Sequence, residues 1–130
     1  MNSRTKKIMS ISDLKEKLDK TGGQTMVLCH GVFDLLHIGH IKYFQEAKSM
    51  GDVLVVTLTP DHFVKKGPNR PAFNESLRAE AIAALDVVDY VAINDWSTAA
   101  ETIKLLKPNI YVKGPDYQDH NNDITGNIKL

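Results

Sequence analysis

Cysteine is nearly absent: Cys29 stands alone among 130 residues. One thiol forms no intramolecular disulfide and offers no metal cluster. Its place in the apolar run "MVLC" suits a small buried residue better than a reactive thiol. Charge of one sign is missing too, since Lys+Arg and Asp+Glu each total 16 and the formal net charge is zero. No bulk basic field points to nucleic acid, and no block of like charge forms a tail. No apolar run approaches the roughly 18 residues of a membrane span. The opening "MNSRTKKIMS" lacks the apolar centre of a signal peptide. Internal repeats, low-complexity tracts and interdomain linkers are also missing. These absences imply a cytoplasmic chain with neither nucleic-acid nor membrane partners.

What is present fits one domain with a real core, because hydrophobic residues make up 42% and charged residues 25%. Short β-branched runs alternate with helical segments. Residues 26–30, 53–59, 90–93 and 110–113 read as four strands. Their apolar runs are nearly continuous, as for parallel strands covered on both faces. Residues 38–50 carry Ile41, Phe44 and Ala47 at helical spacing, with Gly51 as a stop. Asn74 is a cap for the helix "ESLRAEAIAAL". Thr98 and Glu101 make a T-x-x-E capping box for the helix before Pro108, and Ser12 can cap a short helix bearing Leu14 and Leu18. This alternation predicts an α/β, Rossmann-like open parallel sheet with helices on both faces, built from right-handed βαβ units. Ligands bind such sheets at the carboxyl ends of the strands.

The stretch "HGVFDLLHIGHIKYF" leaves the carboxyl end of the first strand. Its two histidines, His37 and His40, lie three apart at a helix start and could share a metal ion. No Cys or H-E-x-x-H pattern accompanies them, so a metal site lacks further ligands. A phosphate uses more of the residues. Helix amino-terminal N–H groups favour anions by about 0.3–1 kcal/mol at exposed sites. Gly39 lets a ligand approach the backbone, and both imidazoles can donate to phosphate oxygens.

With these residues in place, "HGVFDLLHIGH" resembles the G-x-F-D-x-x-H-x-G-H signature of the cytidylyltransferase-like nucleotidyltransferases. The agreement takes in Gly31, Phe33, Asp34, His37, Gly39 and His40. It continues through "AKSMGDVLVV", "NRPAFNESLRAEAIAALDVVDYV" and "VKGPDY", or roughly residues 26–117. The last two runs are most similar to the adenylyltransferase domain of bacterial heptose-phosphate enzymes, with glycerol-3-phosphate cytidylyltransferase a near second. The letters HIGH also mark class I aminoacyl-tRNA synthetases, which are far longer and need a K-M-S-K-S loop that this sequence lacks.

The resemblance implies that His37 and His40 meet the nucleotide's phosphates and the transition state. It implies that Asp34 holds the loop or contacts substrate, and that the nucleotide lies against Gly31, with Phe33 and Gly39 beside it. "VKKGPNRP" supplies Lys65, Lys66 and Arg70 on a loop that could close as a cationic lid. Lys66, with Lys65 as the alternative, is the candidate to offset repulsion between a triphosphate and a phosphate monoester. Arg78 matches a phosphate-binding arginine of the family, and its planar fork suits that role. The resemblance sets Lys113, Gly114, Asp116 and Tyr117 of "VKGPDY" against the ribose or base.

The implied reaction takes a nucleotidyl group from ATP or CTP to a sugar or polyol phosphate, favouring one like heptose 1-phosphate, with release of pyrophosphate. Mg²⁺ arrives on the triphosphate, because few carboxylates cluster. The family also implies a homodimer and fusion to a sugar kinase. Residues 1–24 are expected as a helical extension, 25–117 as the nucleotide-binding core, and 118–130 as the start of a truncated or fused part. The final strand and helix of the family fold, with their Ser/Thr-rich triphosphate segment, are not evident in "NNDITGNIKL". That absence keeps open a non-catalytic nucleotide-binding module on a sugar kinase; an adenylyltransferase of coenzyme synthesis shares the histidine motif but matches the "VKGPDY" end less well.

Overall fold

β-branched runs with no polar face must be covered on both sides, and that requirement sets the architecture. A computed structural model describes residues 6–64, 71, 73–114 and 127–129. Its elements are α1 (Ile11–Lys20), β1 (Met26–Gly31), α2 (Ile38–Lys48), β2 (Val53–Leu58), a 3₁₀ turn (Asp61–Phe63), α3 (Glu75–Ala83), β3 (Tyr90–Ile93), α4 (Ala100–Leu106), β4 (Ile110–Val112) and β5 (Asn127–Lys129). The sheet order is β3-β2-β1-β4-β5. β1 pairs parallel with β2 and β4, and β2 pairs parallel with β3. All six residues of β2 are buried. The four predicted strands are therefore present within a residue or so of their expected ends.

Alternation along β1 divides the core in two. Val27 and Cys29 face Phe44 and Ala47 of α2 and Ala79, Ile82 and Ala83 of α3. Leu28 faces the other way, with Val53 and Val55, onto Ile11 and Leu14 of α1 and Leu106 of α4. This division follows from handedness. The chain steps outward from β1 through β2 to β3 with helices on one face. Returning to the far side of β1 by a right-handed crossover puts α4 on the opposite face. The strand order thus reverses beside β1, and the crevice at the carboxyl ends of β1 and β4 is the switch point.

Three local expectations change. Ser10, not Ser12, caps α1, its hydroxyl accepting from Asp13 N–H at 3.1 Å. The Thr98–Glu101 box does not form, and Ala99 is the N-cap without a side-chain bond. Asn94 organises that turn instead, donating from Nδ2 to the Trp96 and Thr98 carbonyls at 2.8 Å each. A fifth strand, not evident in the sequence, pairs antiparallel with β4. The Asn74 cap is as expected, with Oδ1 accepting from Leu77 N–H at 2.9 Å. Gly51 is required by space, since a Cβ there would stand 2.8 Å from the Thr25 carbonyl oxygen.

His30 ends the buried part of β1, its Nδ1 2.8 Å from the Thr57 hydroxyl. Burial lowers its pKa from 6.5 to about 4. The folded chain therefore resists a proton that the unfolded chain accepts. Stability is full above pH 6.5, falls as the pH drops towards 4, and levels off below that. Urea midpoints at pH 7 and 4.5, compared between wild type and His30→Gln, should show about 2–3 kcal/mol more acid loss in the wild type. Equal losses would contradict this.

Candidate active site

The site begins where β1 runs out of partners. After Gly31 the chain turns sharply, and Phe33 takes a left-handed φ of 53°. A non-glycine residue there costs on the order of 1–2 kcal/mol, which its packing offsets. The ring is buried edge-on to Phe44 and His40, with centroids 5.1 and 5.7 Å away. A Cβ on Gly31 would come within 2.9 Å of the Phe33 ring. The space expected for a nucleotide over Gly31 is thus filled by Phe33.

Asp34 is buried, and its Oδ1 accepts from Phe73 N–H at 3.1 Å. This bond ties the β1 loop to the segment before α3.

His37 is the N-cap of α2. Its Nδ1 accepts from Gly39 N–H at 3.0 Å, while Nδ1 of His40 accepts from His37 N–H at 3.2 Å. The two rings cap the helix reciprocally, with centroids 4.1 Å apart. This modifies the expected anion site, because two of the amides at the turn are taken up by imidazoles. An accepting Nδ1 carries no proton, so each neutral ring has its proton on Nε2.

Arg78 departs most from expectation. Its side chain is fully buried and pairs with Asp61 at 2.6 Å. Nη1 donates to the Val32 and Thr59 carbonyls at 2.8 Å each, and Nε donates to the Phe73 carbonyl at 3.1 Å. A guanidinium so surrounded is not presented to a phosphate. It fastens the β1 loop, the β2 loop and the segment before α3 to one another. Glu75 Oε1 accepts from Asp61 N–H at 2.9 Å and fixes its partner.

At the end of β4, the Tyr43 hydroxyl donates to the Val112 carbonyl. Gly114 lies 3.4 Å, measured from an ideal Cβ, from the Tyr43 ring, and Lys113 is exposed beyond it. α2 thereby holds Val112 and Gly114, where the segment expected to meet the nucleoside begins. Burial pushes the Cys29 thiol up to about 12, with the Tyr43 hydroxyl a lesser, opposing influence. No thiolate nucleophile is available there at neutral pH. Lys65, Lys66, Arg70, Asp116 and Tyr117 lie outside the described residues. Among the described residues, no three His, Cys, Asp or Glu side chains form a group that could hold a metal ion. Tyr43, Asp61 and Glu75 were not anticipated. A buried arginine needs a carboxylate, and Asp61 is the first acid after β2, but nothing local marks Arg78 as buried.

A family model described as cytidylyltransferase-like matches residues 28–130. Bifunctional protein HldE from Campylobacter fetus is 51% identical over 114 residues, which are 86% of this chain and 24% of that protein. Bifunctional protein HldE from Helicobacter pylori strain P12 is 44% identical, covering 90% of this chain and 25% of the relative. The chain spans about a quarter of the length of these curated relatives. The lipopolysaccharide core biosynthesis protein from Thermoplasma volcanium, a crystal structure, superposes with a TM-score of 0.66. It is 34% identical, over 77% of this chain and 80% of that one.

Replacing Arg78 by Ala would leave Asp61 and buried carbonyls without their donor, which costs about 3–5 kcal/mol. Chemical unfolding of Arg78→Ala should show that loss. A loss under about 1 kcal/mol would instead fit a residue whose job is to bind phosphate.

Proposed function

The chain belongs to the cytidylyltransferase-like family, and from that premise we propose that it transfers a nucleotidyl group from ATP or CTP to a sugar phosphate. An acceptor like heptose 1-phosphate is favoured. An oxygen of the acceptor's phosphate bonds to the α-phosphorus, the bond from that phosphorus to the bridging oxygen breaks, and pyrophosphate leaves. No covalent enzyme intermediate is needed.

The reciprocal histidine cap carries this reading. Holding both Nδ1 atoms as acceptors puts the proton of each neutral ring on Nε2, at the turn where the phosphates are proposed to bind. Preorganised donors are strongest where charge develops in the transition state. Lys66, or Lys65, offsets charge between the two substrates. Lys113, Gly114 and Asp116 meet the nucleoside, with Asp116 accepting from ribose hydroxyls. Phe33, Gly31, Asp34 and Gly39 shape the turn, and Arg78 is reassigned from phosphate to positioning. Mg²⁺ enters as part of the nucleotide substrate and neutralises its phosphates. A fused sugar kinase, a cytoplasmic setting and a homodimer belong to the same proposal. Among the described residues, no helix is long and apolar enough to cross a membrane.

Asn is a good N-cap, so His37→Asn can keep the cap while removing the ring's Nε2–H. The variant should unfold within about 1 kcal/mol of wild type. It should release pyrophosphate about 10²–10³-fold more slowly with ATP or CTP and a sugar phosphate. Undiminished turnover would remove the histidine from the mechanism.

A further inference from the structure

The histidine turn leaves a second cleft unexplained. It encloses about 580 Å³ over the carboxyl ends of β2 and β3, within the range of small-molecule sites. We propose that this cleft binds the hydroxylated carbon chain of the acceptor while the acceptor's phosphate reaches the β1 loop; the assignment rests on the transfer reading above.

The lining has the right chemistry for a polyol and the wrong chemistry for a phosphate. Glu75, Asp95 and His62 offer acceptors to hydroxyl groups, and Pro60 and Ile93 supply apolar surface for C–H faces. Among the described residues that line it there is no lysine or arginine. Two carboxylates repel a phosphate, so the acceptor's charged end is turned away from them, towards the histidines.

Position supports the same orientation. Neighbouring strands lie about 4.8 Å apart, so the β2–β3 cleft begins roughly 5–10 Å from the end of β1. A sugar with its phosphate spans that gap. The walls are also fixed in advance. Asn94, buried and bonded to the Trp96 and Thr98 carbonyls, holds the turn that carries Asp95. Glu75 holds Asp61, and Asp61 holds Arg78, which reaches the Val32 carbonyl in the β1 loop. This second set of bonds thus ties the Glu75 wall of the cleft to Val32 in the β1 loop. A third wall, Ile8–Ser10, lies outside the segment matched by the family model and runs beside β3 through the Ile8–Val91 bridge. Selectivity among acceptors is thereby assigned partly to residues outside the segment that the family model matches.

Amide spectra of the ¹⁵N-labelled chain, titrated with heptose 1-phosphate and separately with inorganic phosphate, test the assignment. The sugar phosphate should move the amides of residues 61–63 and 93–95 together with those of the β1 loop. Inorganic phosphate should move the β1 loop alone. Asp95→Ala and His62→Ala, both at exposed positions, should each weaken sugar-phosphate binding at least tenfold and leave nucleotide binding within twofold. Unmoved cleft amides, unchanged affinity in both variants, or no binding at all would overturn the assignment. Cleft binding without pyrophosphate release from any nucleotide would sink the transfer reading and keep the cleft. Release with unmoved cleft amides would do the reverse.

Discussion

A single buried guanidinium holds the working end of this sheet together. Arg78 is anchored on α3 by its backbone, but its side chain belongs to three loops. Val32, Thr59 with Asp61, and Phe73 all converge on it. Burying that charge is favourable only because Asp61 and carbonyl oxygens replace its water. Asp34 repeats the tie from the opposite direction by gripping Phe73 N–H. Val32 after β1, Thr59 and Asp61 after β2, and Phe73 before α3 are therefore tied to one another through a single side chain.

The histidines serve two ends at once. As caps they satisfy backbone N–H groups of α2 that would otherwise need water. As a consequence of capping, their tautomers are fixed. Phe33 completes the arrangement from below, in a strained backbone conformation stabilised by its packing on Phe44 and His40. Tyr43 extends it sideways to the end of β4. Stability and chemistry are thus carried by the same few contacts.

Much of this was legible in the sequence. Continuous apolar runs announced a covered parallel sheet, and the strand–helix junction that carries the histidines lies where the sequence set it. The Asn74 cap is local and was visible. What escaped depends on side chains converging in three dimensions, some of them distant in the chain. Arg78 looks like any helix arginine until Val32, 46 residues away, is seen to accept from it. The Thr98 box failed because Asn94, buried behind it, claims the Thr98 carbonyl and the Thr102 hydroxyl. Gly31 was assigned to a ligand, but the residue filling its space is Phe33, two positions on. Sequence patterns report burial well and caps less well, whereas a polar knot between loops leaves no periodic trace.

The central claim is that capping sets the histidine tautomers and so prepares both rings for a nucleotide's phosphates. Imidazole ¹⁵N spectra of the chain at pH 8, with and without Mg²⁺–ATP or Mg²⁺–CTP, address it directly. The account predicts that His37 and His40 are both Nε2–H tautomers in the free protein, with Nε2 resonances that shift when the nucleotide binds. An Nδ1–H tautomer at either position, or Nε2 resonances indifferent to a bound nucleotide, would contradict it.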